Sequence, residues 1–188
     1  MPSTIVDQLH SEFRDLTAIL EVKAEVSLSR FVEDNFRKSL LLCAASAFER
    51  QLSQAVEEFA REASSDNQLI TNLVRSKAIA RQYHTWFNWD SRNANTFFSL
   101  FGDGFRRFMK EIIESDENVD DSIRAFMELG SERNRLLHQD YGSFALEKTT
   151  DEIYELYLSA QRFVELVPQV LRDCSRRLVQ PEKSSPAE

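Results

Sequence analysis

Residues 31–63 read FVEDNFRKSLLLCAASAFERQLSQAVEEFAREA. The stretch holds no Gly or Pro, and Leu41, Ala44, Phe48, Leu52, Val56 and Phe59 recur at helical spacing through it. It reads as one long helix, about 50 Å at about 1.5 Å per residue. Around it, the chain of 188 residues has only 4 Gly and 4 Pro, too few for the tight turns that a sheet protein needs. The fold class is therefore all-α.

The flanking segments follow the same period. Ile5, Leu9, Phe13, Leu16 and Leu20 form one stripe of a first helix, separated from the long one by a polar break near Ser27 and Ser29. Ser64-Ser65-Asp66-Asn67 ends the long helix and caps another over 68–83. In the stretch 84–104, Trp86, Phe87, Trp89, Phe97, Phe98 and Phe101 mix with Asn, Asp and Gly, which suggests loop and short helix. Such a cluster is either a platform on which bases stack or a satellite core pinning a long connection. A short amphipathic helix over 105–113 carries Arg106, Arg107 and Lys110 on its polar side. Asp120 or Asp121 is placed to cap a helix through Leu137. Thr149-Thr150-Asp151-Glu152 matches a capping box, and Pro168 is expected to kink the helix behind it. These elements make an up-and-down bundle of four to five main helices with an aromatic-rich insertion, a single domain over 1–178. Residues 179–188 have the composition of a disordered tail.

With 42% hydrophobic and 29% charged residues the chain is an ordinary globular one. Its net charge of −8 disfavours a broad phosphate-neutralising surface and leaves room for a small nucleic-acid site. Cys43 and Cys174 are far apart, with no zinc or disulfide pattern. The start of the sequence does not read as a signal peptide, and the run Leu40–Ala45 is far short of a membrane span. A cytoplasmic protein without membrane association is expected.

Phosphate loops, nucleophile elbows, HExxH pairs and EF-hand runs are all missing from the sequence, and His10, His84 and His138 are widely separated. A metal-dependent hydrolase would need carboxylates clustered beside a histidine, and no metal site is expected. One segment stands apart: Ser131-Glu132-Arg133-Asn134-Arg135-Leu136-Leu137-His138. It contains R-N-x-x-x-H at the end of a helix, just before Gly142. Asn134 and His138, four apart, share a helix face, and the long Arg133 side chain can converge with them on one phosphate. An imidazole moves protons near neutral pH, a guanidinium stabilises phosphate charge, and an amide positions either. The plainer reading makes His138 a residue favoured by the helix dipole, with Arg133 and Arg135 in surface ion pairs.

The motif, its place at the end of the penultimate long helix, and the Phe-rich middle Asn-Ala-Asn-Thr-Phe-Phe-Ser-Leu-Phe-Gly resemble the HEPN superfamily, most of all its RiboL-PSP-HEPN and MAE_28990-type branch. The likeness spans about residues 30–178. The resemblance implies a helical bundle that pairs as a homodimer, joining two motifs in a cleft that cuts RNA without metal or other cofactor, often in toxin-antitoxin or phage-defence systems. It makes Arg133 and His138 the catalytic pair and Asn134 the positioning residue. It adds Glu49, because an acidic residue of the early long helix often faces the motif. Some related toxin families carry Tyr two residues after the His; here Asp140 stands there and Tyr141 comes one later. An antitoxin or other defence-system protein is an implied partner. The alternative is a non-catalytic dimerisation or nucleotide- and RNA-binding module. An RNA groove requires Arg106, Arg107, Lys110 and Arg135, with Arg75, Lys77 and Arg81, to gather on the side of His138.

Overall fold

The computed structural model describes residues 4–179. Residues 1–3 lie outside it, as do 180–188, nearly all of the stretch expected to be a disordered tail. Helix α1, Ile5–Val22, starts at a capping box: the Asp7 amide donates to Thr4 Oγ1 at 3.1 Å and the Thr4 amide to Asp7 Oδ2 at 2.7 Å. Helix α2 spans Val26–Ala63, starting before the expected Phe31. Ser27 and Ser29 belong to its first turn; the chain reverses earlier, at Ala24, whose φ is +55°. Adjacent pairs Leu40/Leu41 and Ala44/Ala45 are all buried, because other elements cover more than one face of this helix.

The helix expected over 68–83 is broken. Helix α3 is Gln68–Val74, its N-cap Asn67 accepting from the Leu69 amide at 3.0 Å, and Arg75–Ile79 then widen into a π-turn. The turn closes with the Ala80 amide on the Arg75 carbonyl at 2.8 Å, and Arg81 reverses the chain at φ +61°. The Ala78 carbonyl accepts from the Trp86 indole at 2.9 Å, which ties the turn to the next helix.

Two short helices, α4 (Tyr83–Trp86) and α5 (Asn95–Ser99), carry the aromatic stretch. Trp86, Phe87, Phe97 and Phe98 are buried. Phe87 stacks on Phe97 at 5.0 Å and meets Phe126 at 4.9 Å. These four rings belong to the core rather than to a surface open to bases. Helix α6, Gly102–Ser115, begins before the expected Phe105, at Gly102 with φ +86°. Helix α7, Glu117–His138, is capped by Asp116 rather than Asp120 or Asp121. The Asp116 carboxylate accepts from the Asn118 amide at 3.0 Å and pairs with Arg162 at 2.5 Å. Helix α8, Thr150–Val179, starts at the expected box, with the Thr149 amide donating to Glu152 at 2.7 Å. Pro168 lies inside α8, which remains one element; lacking an N–H, it leaves the Val164 carbonyl without its helical donor.

Cross-helix contacts fix the directions. Asp116 meets Arg162 while Glu128 meets Lys148 at 2.5 Å, so α7 and α8 are antiparallel. Phe48 stacks on Tyr157 at 5.2 Å while Glu62 approaches Arg172 at 3.9 Å, so α2 runs parallel to α8. Tyr157 bonds Thr4 and Asp151 bonds His10, so α1 is antiparallel to both. The result is an all-α, up-and-down bundle with no strand among the described residues. One end gathers the α1–α2 turn, the end of α7 and the 139–149 connection. The other gathers the end of α2, α3, the start of α6 and the end of α8, where Leu178 packs 3.3 Å from the Cβ position of Gly104.

Candidate functional site

Helix α7 carries its acidic residues Glu117 and Asp120 in the first turn and Arg135 and His138 in the last, matching both ends of its dipole. It stops at His138 because Gln139 turns extended (φ −112°, ψ 166°). Arg133 and Asn134 are half-buried and His138 is exposed. Four residues make about 400°, so Asn134 and His138 project within about 40° of each other. Neither side chain has a hydrogen-bond partner among the described residues, which leaves an amide and an imidazole side by side and open to a ligand.

Arg133 turns the other way, toward α2, where its guanidinium lies 3.8 Å from the Glu49 carboxylate. The structure thus brings Arg133 and Glu49 together, in a half-exposed contact whose long separation leaves Arg133 able to swing toward an anion. The Tyr83 ring lies beneath this pair, together with Trp89 and Gly130. Burial pushes the Tyr83 phenol well above its ordinary range; the Glu49 charge adds to the rise and the Arg133 charge opposes it. Tyr83 therefore stays a neutral hydroxyl under Arg133.

The other predicted cations do not join them. Arg135 pairs with Glu132 at 2.8 Å and lies 5.6 Å from the centre of the Phe144 ring, covering the 139–149 connection. Arg106 pairs with Asp103 at 3.1 Å and Lys110 with Glu114 at 3.6 Å. With Arg107 they sit on α6, beside the last turns of α8, at the end of the bundle away from His138. Arg75 is bound to Glu57 on the π-turn, and Lys77 and Arg81 belong to the same segment. The α6 cations thus do not gather beside His138 within one chain: helix order in the sequence carries no information about which end of the bundle each helix reaches.

Three residues that motif reasoning missed shape the site. Lys38 of α2, 7% exposed, donates to the Tyr141 carbonyl at 2.7 Å and lies 5.0 Å from the centre of its ring. It ties down the chain three residues beyond His138. Tyr83 lies under Arg133. Gly130, within α7, admits Trp89: a Cβ there would stand 2.0 Å from the indole Cζ3. A glycine inside a helix costs about 1 kcal/mol against Ala, so Gly130 was a legible hint of close approach, though not of its partner.

A larger cavity of about 680 Å³ lies at the far end, between α2, the π-turn and Leu100-Phe101; Lys77 is the one charged residue in its otherwise mostly apolar lining. Among the described residues no group of three or more His, Cys, Asp and Glu is arranged to hold a metal, and no helix is long and apolar enough to cross a membrane. No curated protein and no solved structure matches the chain. The sequence model of one family does match, over residues 7–173, which include all of the R-N-x-x-x-H segment, the whole of α2 and α7 and most of α1 and α8: the chain belongs to the RiboL-PSP-HEPN family.

Proposed function

We propose that the protein is a metal-independent endoribonuclease that works as a homodimer, and that its setting is a toxin or phage-defence system. HEPN domains serve nuclease or RNA-binding functions in general. The observation that carries the reading is the exposed His138 imidazole beside the Asn134 amide, both unpartnered, with Arg133 on the same turns of α7. In the reaction a ribose 2′-oxygen attacks the adjacent phosphorus as its proton passes to a base. The bond to the 5′-oxygen breaks, that oxygen takes up a proton, and a 2′,3′-cyclic phosphate remains. His138 serves in proton transfer, Arg133 faces the charge that builds on the phosphate, and Asn134 positions one of them. Glu49 holds Arg133 in place before RNA arrives. One chain supplies one motif histidine, and two-fold pairing supplies the second imidazole that such a transfer uses. An antitoxin-like partner would act by covering this end of the bundle.

The alternative, a non-catalytic RNA-binding or dimerisation module, draws support from the scatter of Arg106, Arg107 and Lys110 away from His138. The two separate in one assay. With RNA in EDTA, the wild type should cleave, and His138→Ala and Arg133→Ala should each lose at least about 100-fold in rate while keeping a native circular dichroism spectrum. Cleavage undiminished in both variants overturns the nuclease reading.

A further inference from the structure

Beside the motif, along the same side of α7, lies a second cavity of about 520 Å³ between that helix and the 88–94 loop. Ser131, Asn134 and His138 succeed one another on this face, so the cavity begins about 5 Å along the axis from Asn134 and about 10 Å from His138. Its floor is Met127, only 1% exposed. Its loop wall carries Trp89, Asp90 and Arg92. The Trp89 indole N–H is buried without an acceptor, an unusual state for so good a donor. Of the three carboxylates in the lining, Glu128 is taken by Lys148 and Glu132 by Arg135. Asp90 has no ion pair among the described residues.

The loop is held in shape before any ligand arrives. The Asp90 amide donates to Asn88 Oδ1 at 3.3 Å, the Asn93 amide to Ser91 Oγ at 3.2 Å and the Asn95 amide to Asn93 Oδ1 at 3.1 Å. Trp89 is clamped between Gly130 and the Phe87 ring, 4.9 Å away. Binding here therefore orders little new chain.

We propose that this cavity takes a guanine base of the RNA, next to the phosphate held at Arg133, Asn134 and His138. The chemistry selects the ligand. The cavity offers an unpaired carboxylate at Asp90, an apolar floor and, at the rim, the guanidiniums of Arg92 and Arg124, of which Arg124 is taken by Asp120. Guanine presents two adjacent donors, N1–H and the N2 amino group, that fit a carboxylate. It also presents acceptors, O6 and N7, that fit the Arg92 guanidinium. Adenine has no N1–H to give, and uracil lacks the paired donors.

The inference rests on the nuclease reading only for its account of specificity, so its test has two arms. Cleavage sites of the wild type are mapped on RNAs with guanine, adenine or uracil at one position in a constant background. Cutting should favour the guanine RNA at least about 10-fold. Asp90→Asn, an exposed change that preserves shape, and Arg92→Gln, which removes a rim cation that has no ion pair among the described residues, should each bring the ratio near one. A wild type without base preference, or a preference unchanged in both variants, overturns the proposal. If the wild type cuts no RNA, the same oligonucleotides are used in equilibrium binding. Guanine-selective binding lost in Asp90→Asn upholds the cavity while the nuclease reading falls, and unselective binding overturns it.

Discussion

At the scale of single residues, Gly130 decides more than its size suggests. A methyl group there would stand 2.0 Å from Trp89, against ring atoms that are themselves packed on Phe87 and Phe126. Neither side can yield cheaply, so Gly130→Ala should destabilise the protein by about 1–3 kcal/mol as an overpacked contact. Thermal unfolding should show a drop of several degrees, since about 1 kcal/mol moves a chain of this length by about 2–4 °C. An unchanged midpoint would mean that Trp89 is free to leave. Of the site residues, Arg133, Asn134 and His138 were legible because they lie within one helical turn and a half. Tyr83, Trp89 and Lys38 were not. Their places depend on long-range packing of α2 and the 83–94 segment, which no local pattern records.

The helices show the same division between local and distant signals. Amphipathic periodicity and the Thr149 box located the elements, because both are written in neighbouring residues. The start of α7 was displaced since several Asp residues compete as its cap and a tertiary partner chooses among them: Asp116 wins over Asp120 because it also holds Arg162, whereas α2 starts after Glu25 with no side-chain cap at all. The π-turn after α3 had no signature, since it arises where Trp86 takes the Ala78 carbonyl. Helix α1 is docked by a polar seam, in which Tyr154 donates to Asp7 at 2.9 Å and Asp151 takes His10 and Arg14, each at 2.8 Å. The hydrogen bond from His10, helped by Arg14, holds the Asp151 carboxyl below its ordinary 3.8. Partial burial works to raise Asp7, but bonds from the Thr4 amide and from Tyr154 outweigh it and keep Asp7 low as well. Both groups bind protons less readily folded than unfolded. Their contribution is present above the unfolded value and is lost as pH falls through about 4 and below. Acid should therefore release α1 early: the protection of amides in 5–22, taken relative to their intrinsic exchange rate at each pH, should fall between about pH 5 and pH 3, and Asp151→Asn should flatten that dependence.

On the scale of the whole molecule, the bundle has two unlike ends. Around the α1–α2 turn, Ile19, Val22, Val26 and Phe31 are exposed, Val22 to 89%, on the end that also carries His138. The opposite end carries α6 with its cations. That separation was invisible in the sequence, where the gathering of these cations in one groove was the condition for the RNA reading, and on the proposed function it leaves RNA contact only a short reach around α7. On the proposed function a second copy completes this small cleft, so sedimentation at working concentration should give a dimer. A monomer that still cleaves RNA would remove the composite cleft.

The chain has two tryptophans, and they differ in a way that can be used. Trp86 is 3% exposed, its N–H is committed to the Ala78 carbonyl, and it faces the cavity at the far end rather than the one beside Asn134. Trp89 walls the cavity beside Asn134 with its N–H uncommitted. If a base enters that cavity as proposed, the emission of Trp89 should change on titration with RNA while that of Trp86 changes less, so the wild-type chain should report occupancy without any label.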